Sequence, residues 1–178
     1  MEITVLTGSP VKDGSSNLLA AEFIRGAQEA GHTTVRFDAT HADIHPCTGC
    51  IACGHEGPCV QQDSMGAIRK FLLGADMVVF VTPLYYFGMS AQLKTLVDRF
   101  CSFNTSLNRR QLQSALIAVA WNSSPETFDA LMAHYRTLVS YLNLENRGEI
   151  LGYGCGTPTM TRNSEYPRQA YELGRTLR

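Results

Sequence analysis

The sequence predicts an α/β fold, a five-stranded parallel sheet with helices on both faces, and two observations carry that expectation. Short apolar runs rich in β-branched residues alternate with helical stretches along the whole chain, a pattern that requires right-handed crossovers between parallel strands. The 178 residues are 44% hydrophobic and 17% charged, enough to bury one substantial core and too few for two. One domain over residues 1–178 is expected, with no repeat, linker or low-complexity tract dividing it.

Strands are expected at 3–6, 34–37, 77–81, 116–120 and 150–154, each short, apolar and flanked by turn residues. Helical spacing is clearest where Leu93, Leu96, Val97, Phe100 and Cys101 recur at i, i+3, i+4, i+7 and i+8. It recurs through Phe128, Leu131, Met132, Tyr135, Leu138, Val139 and Leu142. Ser90 is placed to cap the first of these helices, and Ser123 or Ser124 with Pro125 and Glu126 opens the second. Weaker helical patterns cover 16–30, 64–73 and 165–177. Residues 39–63 fit neither period, so they form a long excursion after the second strand, and long ordered loops in compact domains usually carry function. Lys94 and Asp98, spaced i, i+4, are expected to form an exposed pair with no chemical role.

Bulk charge narrows the partners. A formal net charge of −1 offers no basic stripe for nucleic acid and no polybasic membrane anchor. The opening Met1-Glu2-Ile3-Thr4-Val5-Leu6 has neither a cationic leader nor a long apolar stretch, which points to the cytoplasm. In that reducing compartment six cysteines serve metal binding, redox chemistry or burial rather than a disulfide framework. Cys101 and Cys155 lie inside apolar patterns and are assigned to burial.

The other four sit together: Cys47, Cys50 and Cys53 in a C-x2-C-x2-C run, then Cys59 after five more residues. Thiolates so close in sequence can converge on one soft ion or cluster without long-range help from the fold. A tight triple with a nearby fourth favours an iron–sulfur cluster over zinc, whose structural sites usually draw on two separated pairs. His41, His45 and His55 flank the run and keep a Cys3His zinc site open; four metal-free reduced thiols, or two disulfides formed on isolation, are the alternative to any metal.

In sheets of this kind the ligand crevice lies at the carboxyl ends of the strands, where the strand order reverses. After the first strand, Ser9, Ser15, Ser16 and the Asn17 amide surround a turn that opens a helix, a phosphate cradle or an ordinary capped turn. The spacing matches neither G-x4-G-K-[ST] nor G-x-G-x-x-G, which disfavours nucleotide triphosphates and dinucleotides. After the third strand, Tyr85, Tyr86 and Phe87 stand at the same sheet edge, followed by Gly88; after the fourth comes the only tryptophan, Trp121, with Asn122. A phosphate at one loop and a planar heterocycle at the next two suit flavin mononucleotide (FMN). A phosphatase cradle of the form C-x5-R is excluded, because six residues separate Cys155 from Arg162.

These motifs together resemble the flavodoxin-like NAD(P)H-dependent FMN reductases, and most closely their iron–sulfur flavoprotein branch. The carriers are Gly8-Ser9-Pro10 with Gly14-Ser15-Ser16-Asn17, the run from Pro46 through Cys59 to Asp63-Ser64-Met65, and Thr82-Pro83-Leu84-Tyr85 continuing to Ser90, Leu93, Lys94, Asp98 and Arg99. The chain departs from the family at Val11, where relatives commonly have arginine, and at Ser64, where an aspartate usually follows Asp63. The resemblance implies a three-layer sandwich with strand order 2-1-3-4-5, an FMN phosphate in the first loop, the isoalloxazine along the Thr-Pro-x-Tyr loop, and a [4Fe–4S] cluster on Cys47, Cys50, Cys53 and Cys59 near a subunit interface. The candidate cofactor residues are Ser9, Pro10, Lys12, Gly14, Ser15, Ser16, Asn17 and Leu18, then Pro83, Leu84, Tyr85, Tyr86, Phe87 and Gly88, then Trp121 and Asn122. No catalytic side chain is expected, since a flavin carries its own chemistry. The implied activity moves electrons from NAD(P)H through FMN to a small molecule or protein acceptor, in a dimer or tetramer. A flavodoxin-like carrier without NAD(P)H oxidation, and a non-enzymatic fold with a structural metal loop, are the alternatives.

Overall fold

The computed structural model describes residues 1–178 and has five parallel strands, β1 (Glu2–Thr7), β2 (Thr33–Asp38), β3 (Met77–Tyr85), β5 (Gln113–Val119) and β6 (Glu145–Gly152). Their spatial order is β2-β1-β3-β5-β6. The expected order is therefore present, but a sixth strand, β4 (Gly88–Met89), shifts the numbering by pairing antiparallel with Leu84 and Tyr85 of β3. The chain crosses from one side of β1 to the other between β2 and β3, which makes the carboxyl ends of β1 and β3 the switch point.

Two apolar layers sandwich this sheet. Odd-numbered β1 and β3 residues such as Ile3, Val5 and Val79 pack with Leu19 and Phe23 of α1 (Ser15–Glu29) and Ala170 of α7 (Tyr166–Arg175). Leu6, Val78 and Phe80 face the other way, against α2 (Met65–Gly74), α3 (Ala91–Asp98) and α5 (Asp129–Tyr141). The period of two along each strand thus feeds two cores. On the first face α1 and α7 touch backbone to backbone: a Cβ on Gly26 would lie 2.1 Å from the Tyr171 carbonyl oxygen, and one on Gly174 would lie 2.2 Å from that of Phe23.

Several boundaries differ from expectation for identifiable reasons. The third strand runs on through Thr82–Tyr85, because β5 still pairs with Thr82 and Pro83 and the β4 hairpin supplies partners to Leu84 and Tyr85. The last strand begins at Glu145 rather than 150 and ends at Gly152; its first half is exposed and polar, so apolar patterning is silent there. The helical stripe at 93–101 is not one helix: α3 ends at Asp98, a 3-10 turn covers Arg99–Phe103, and α4 (Asn104–Arg110) follows. The stripe at 128–142 is a 3-10 turn at Pro125–Phe128 leading into α5. A short α6 (Pro158–Arg162), capped by Thr157, is additional. Ser90 caps α3 as expected, its hydroxyl accepting from the Leu93 N–H at 3.3 Å. Lys94 and Asp98 pair at 2.6 Å on the surface. No helix is long and apolar enough to cross a membrane.

Candidate functional site

The carboxyl ends of β1, β3 and β5 and the segment after β6 enclose a cleft of about 340 Å³. Its floor is locked by short polar ties. Ser90 donates from its hydroxyl to the Gly8 carbonyl at 2.6 Å, and its backbone N–H donates to the Thr82 hydroxyl at 2.9 Å. A Cβ on Gly8 would meet Ser90 Oγ at 2.5 Å, so the glycine is what allows the first loop to lie against the start of α3. This tie fixes the β1 loop against the β3 loop.

From the first loop, Ser9, Val11, Gly14, Ser15 and Ser16 line the cleft. Gly14 is the N-cap of α1 and offers no side-chain cap, and no acidic residue occupies the first turn. The helix-start N–H groups therefore remain available to an anion. Ser15 and Ser16 are buried, yet each hydroxyl lacks a hydrogen-bond partner. A buried hydroxyl left unpaired costs about 1–3 kcal/mol, so both are built for a ligand oxygen. The Asn17 amide shapes the loop, its Nδ2 donating to the Val11 carbonyl at 2.9 Å and the Lys12 carbonyl at 3.2 Å, while its Oδ1 is buried without a partner. Pro10 and Lys12 are exposed outside the cleft wall, and Leu18 packs toward the α1 core.

Pro83, Leu84 and Tyr85 form the second wall and Trp121 the third. Tyr86 and Phe87 do not line this cleft; with Leu84, Trp121 and Asn122 they line a shallower cavity of about 220 Å³ beside it. They occupy the hairpin turn with φ of 47° and 64°, left-handed values that cost a non-glycine residue of order 1 kcal/mol or more each. Tyr86 is fully exposed and Gly88 lies outside both cavities. Sequence reasoning missed Val119, Ala120, Cys155, Gly156 and Pro158 on the far wall. Cys155 is buried, as expected, but also faces the cleft. The Trp121 ring rests on Gly156, where a Cβ would fall 2.0 Å from it. Strand-end position could have identified Val119 and Ala120; nothing local marks the segment after β6.

The second site is the excursion after β2. Cys47, Cys50, Cys53 and Cys59 all line one small pocket, together with Arg99 and Cys101. Gly49, Ile51, Gly54 and His55 have φ between 55° and 68°, so the loop repeatedly turns through the left-handed region; Cys47 and Cys50 are exposed on it and Cys53 and Cys59 half-buried. Its base is closed by a buried ion pair, with the Arg99 and Asp63 side chains 1% and 0% exposed. Arg99 donates to both carboxylate oxygens of Asp63 and, at 2.8 Å, to the His45 carbonyl. Asp63 also accepts from the N–H groups of His45 and Met65. Burial opposes ionisation of Asp63, but the guanidinium and these two N–H groups outweigh it and hold the carboxyl below its usual range. Arg99 Nε is buried without a partner.

Cys101, assigned to burial from sequence, is half-exposed and belongs to this pocket. Its thiol pKa is raised by burial and by the neighbouring Cys53 and Cys47 thiols. The Cys50 thiol is shifted down by the Ala52 N–H and the Thr48 hydroxyl. Of the three flanking histidines, His55 alone reaches the thiols, with Nδ1 3.3 Å from Cys101 Sγ. His41 pairs with Asp38, and His45 lies near Asp43 and Asp63.

A family model described as NADPH-dependent FMN reductase matches residues 1–145. An iron-sulfur flavoprotein of Methanocaldococcus jannaschii is 32% identical over 119 residues, 67% of this chain and 62% of that protein. One of Archaeoglobus fulgidus is 29% identical over 103 residues, 58% of this chain and 47% of that protein. Each match spans less than two thirds of the relative's own length. Among solved structures, an NAD(P)H:quinone oxidoreductase from Methanothermobacter marburgensis has a TM-score of 0.76 at 17% identity, covering 98% of this chain and 96% of that one, which speaks to the fold.

Proposed function

The chain belongs to the NADPH-dependent FMN reductase family, and from that premise we propose that it is an FMN-dependent oxidoreductase that takes electrons from NAD(P)H and passes them to a small-molecule acceptor or a protein partner. One observation carries the reading: two buried serine hydroxyls without partners, Ser15 and Ser16, stand at the uncapped start of α1 inside the cleft. They fit the terminal phosphate of FMN, with the helix dipole favouring its charge. The remaining walls, from Pro83 to Tyr85 and from Val119 to Trp121, are flat and largely apolar, as a planar ring system requires. FMN, once bound, accepts a hydride and can release electrons singly, which is chemistry no side chain here supplies. The protein's part would be to grip the phosphate with Ser15 and Ser16 and to shelter the ring between the Pro83–Tyr85 and Val119–Trp121 walls. NAD(P)H and the acceptor would enter in turn at the cleft mouth, where Tyr86 and Phe87 stand exposed.

The cysteine loop suits a [4Fe–4S] cluster held by Cys47, Cys50, Cys53 and Cys59. All four thiols line one pocket, and the unpaired Arg99 Nε–H sits among buried groups at its edge, a cationic donor suited to thiolate or sulfide. We assign the protein to the cytoplasm and to a homo-oligomer, the latter from the exposed rings around the cleft mouth.

Anaerobic titration of the flavin-free protein with FMN, followed by NADPH or NADH, tests the proposal. Stoichiometric flavin uptake and bleaching of its visible absorption are expected. Failure to take up FMN would sink the reading, and uptake without bleaching by either nucleotide would leave an electron carrier.

A further inference from the structure

Beyond the last paired residues of β1 and β3, the hydrogen bonds that join the phosphate end of the cleft to its ring end run through one residue. The two strands pair as far as Thr7 and Val81, and one more backbone bond follows, from the Gly8 N–H to the Val81 carbonyl at 2.9 Å. There the chains part: one continues through Ser9 to Ser16 at the phosphate end, the other through Pro83 to Tyr85 along the ring wall. Ser90 closes the gap. Its hydroxyl donates to the Gly8 carbonyl at 2.6 Å, and its N–H donates to the Thr82 hydroxyl at 2.9 Å, which in turn donates to the Pro83 carbonyl at 2.8 Å. Because the Ser90 hydroxyl also accepts from the Leu93 N–H, the start of α3 anchors the whole chain of bonds. Ser90 and Thr82 are wholly buried, and neither lines the cleft.

Given the FMN reading of the cleft, on which this inference rests, we propose that Ser90 and Thr82 are positioning residues that make the cleft select FMN over riboflavin, by holding the phosphate cradle and the ring wall at one fixed separation. No residue lining the cleft carries a charge, so the phosphate is gripped by N–H groups and by the Ser15 and Ser16 hydroxyls rather than by a cation. Such bonds weaken steeply with distance and angle, whereas a flexible lysine could follow a phosphate that had shifted. A ligand that touches two sites gains most when they already stand at the spacing it spans. Riboflavin has no phosphate and engages only the ring end, so it gains nothing from the frame. Cutting the chain of bonds therefore leaves each end able to bind its own fragment and removes the advantage of joining the fragments in one molecule.

Flavin-free full-length wild type, Ser90→Ala, Thr82→Val and Thr82→Ser are titrated with FMN and with riboflavin by flavin fluorescence, and inorganic phosphate is measured as a competitor of FMN. Loss of either hydroxyl should lower the preference for FMN over riboflavin by about ten-fold, with the riboflavin and inorganic phosphate constants changed by less than about two-fold. Thr82→Ser keeps the hydroxyl and should retain the wild-type preference. Riboflavin binding shows that a variant is folded, and Thr82→Val, nearly equal in volume to the native residue, carries the test should Ser90→Ala lose the α3 cap and unfold. The proposal is overturned if both hydroxyl-free variants keep the wild-type preference, if riboflavin or phosphate binding weakens along with FMN binding, or if Thr82→Ser behaves like Thr82→Val. A wild type that takes up neither flavin sinks the cofactor reading itself, a failure distinct from an unchanged preference.

Discussion

Ser15 and Ser16 illustrate how a single side chain reports a missing partner. Each hydroxyl is buried without a hydrogen bond, a state that costs stability in isolation and gains binding energy when an anion arrives. Ser16→Ala should therefore weaken FMN binding by about ten-fold, or roughly 1.4 kcal/mol, and leave thermal stability of the flavin-free protein unchanged or slightly raised. Fluorescence titration with FMN and a thermal melt of the apoprotein check both halves. Gly156 acts through its neighbour. A methyl group there would overlap the Trp121 ring, so Gly156→Ala should displace the tryptophan and alter the cleft's third wall. Changed tryptophan fluorescence together with weaker flavin affinity is the expected result, whereas an unaltered emission would mean that the ring does not rest there.

The elements show why most of the chain could be read in advance and part could not. β1, β3 and β5 bury both faces and α1 a full stripe, so hydrophobic periodicity located them. The first half of β6 is polar and exposed, and the helix at 91–98 gives way to a 3-10 turn where Arg99, a charged residue, turns into the interior. A buried arginine is invisible to periodicity, because its burial depends on Asp63 arriving from 36 positions away. The excursion is held by that pair. Removing one partner leaves the other charge buried, and Asp63→Asn or Arg99→Met should cost about 3–5 kcal/mol in urea denaturation. The pair also gives a pH signature. The Asp63 carboxyl is held below its usual range in the folded protein and is ordinary in the unfolded chain, so its contribution is present above about pH 4 and is lost as pH falls through the folded value. Denaturation midpoints measured from neutral pH downward should fall more steeply for the wild type than for Asp63→Asn; parallel curves would show that the pair is not coupled to folding.

At the scale of the whole molecule, the fold brings to one end of the sheet what the chain scatters over 150 residues. The phosphate cradle near residue 15, the rings near 85 and 121 and the segment at 155–158 share a single cleft because parallel strands all present their carboxyl ends to the same side. The cysteine pocket shares none of that cleft's lining, so flavin and metal sites should load separately within one chain. Around the cleft mouth, Tyr86, Phe87 and Trp121 are more than half exposed, and Tyr86 is wholly so. Two adjacent left-handed aromatics at a hairpin tip hold apolar surface outward at a conformational cost, an arrangement more suited to contact with another surface than to water. A self-complementary interface built on this hairpin would cover the rings of both copies and shield the open face of each cleft. Light scattering on the 19.6 kDa chain should then give at least twice the monomer mass, and Phe87→Asp should shift it toward monomer with FMN still bound. A wild-type monomer at micromolar concentration would remove the hairpin's claim to an interface and leave its rings to the entering nucleotide.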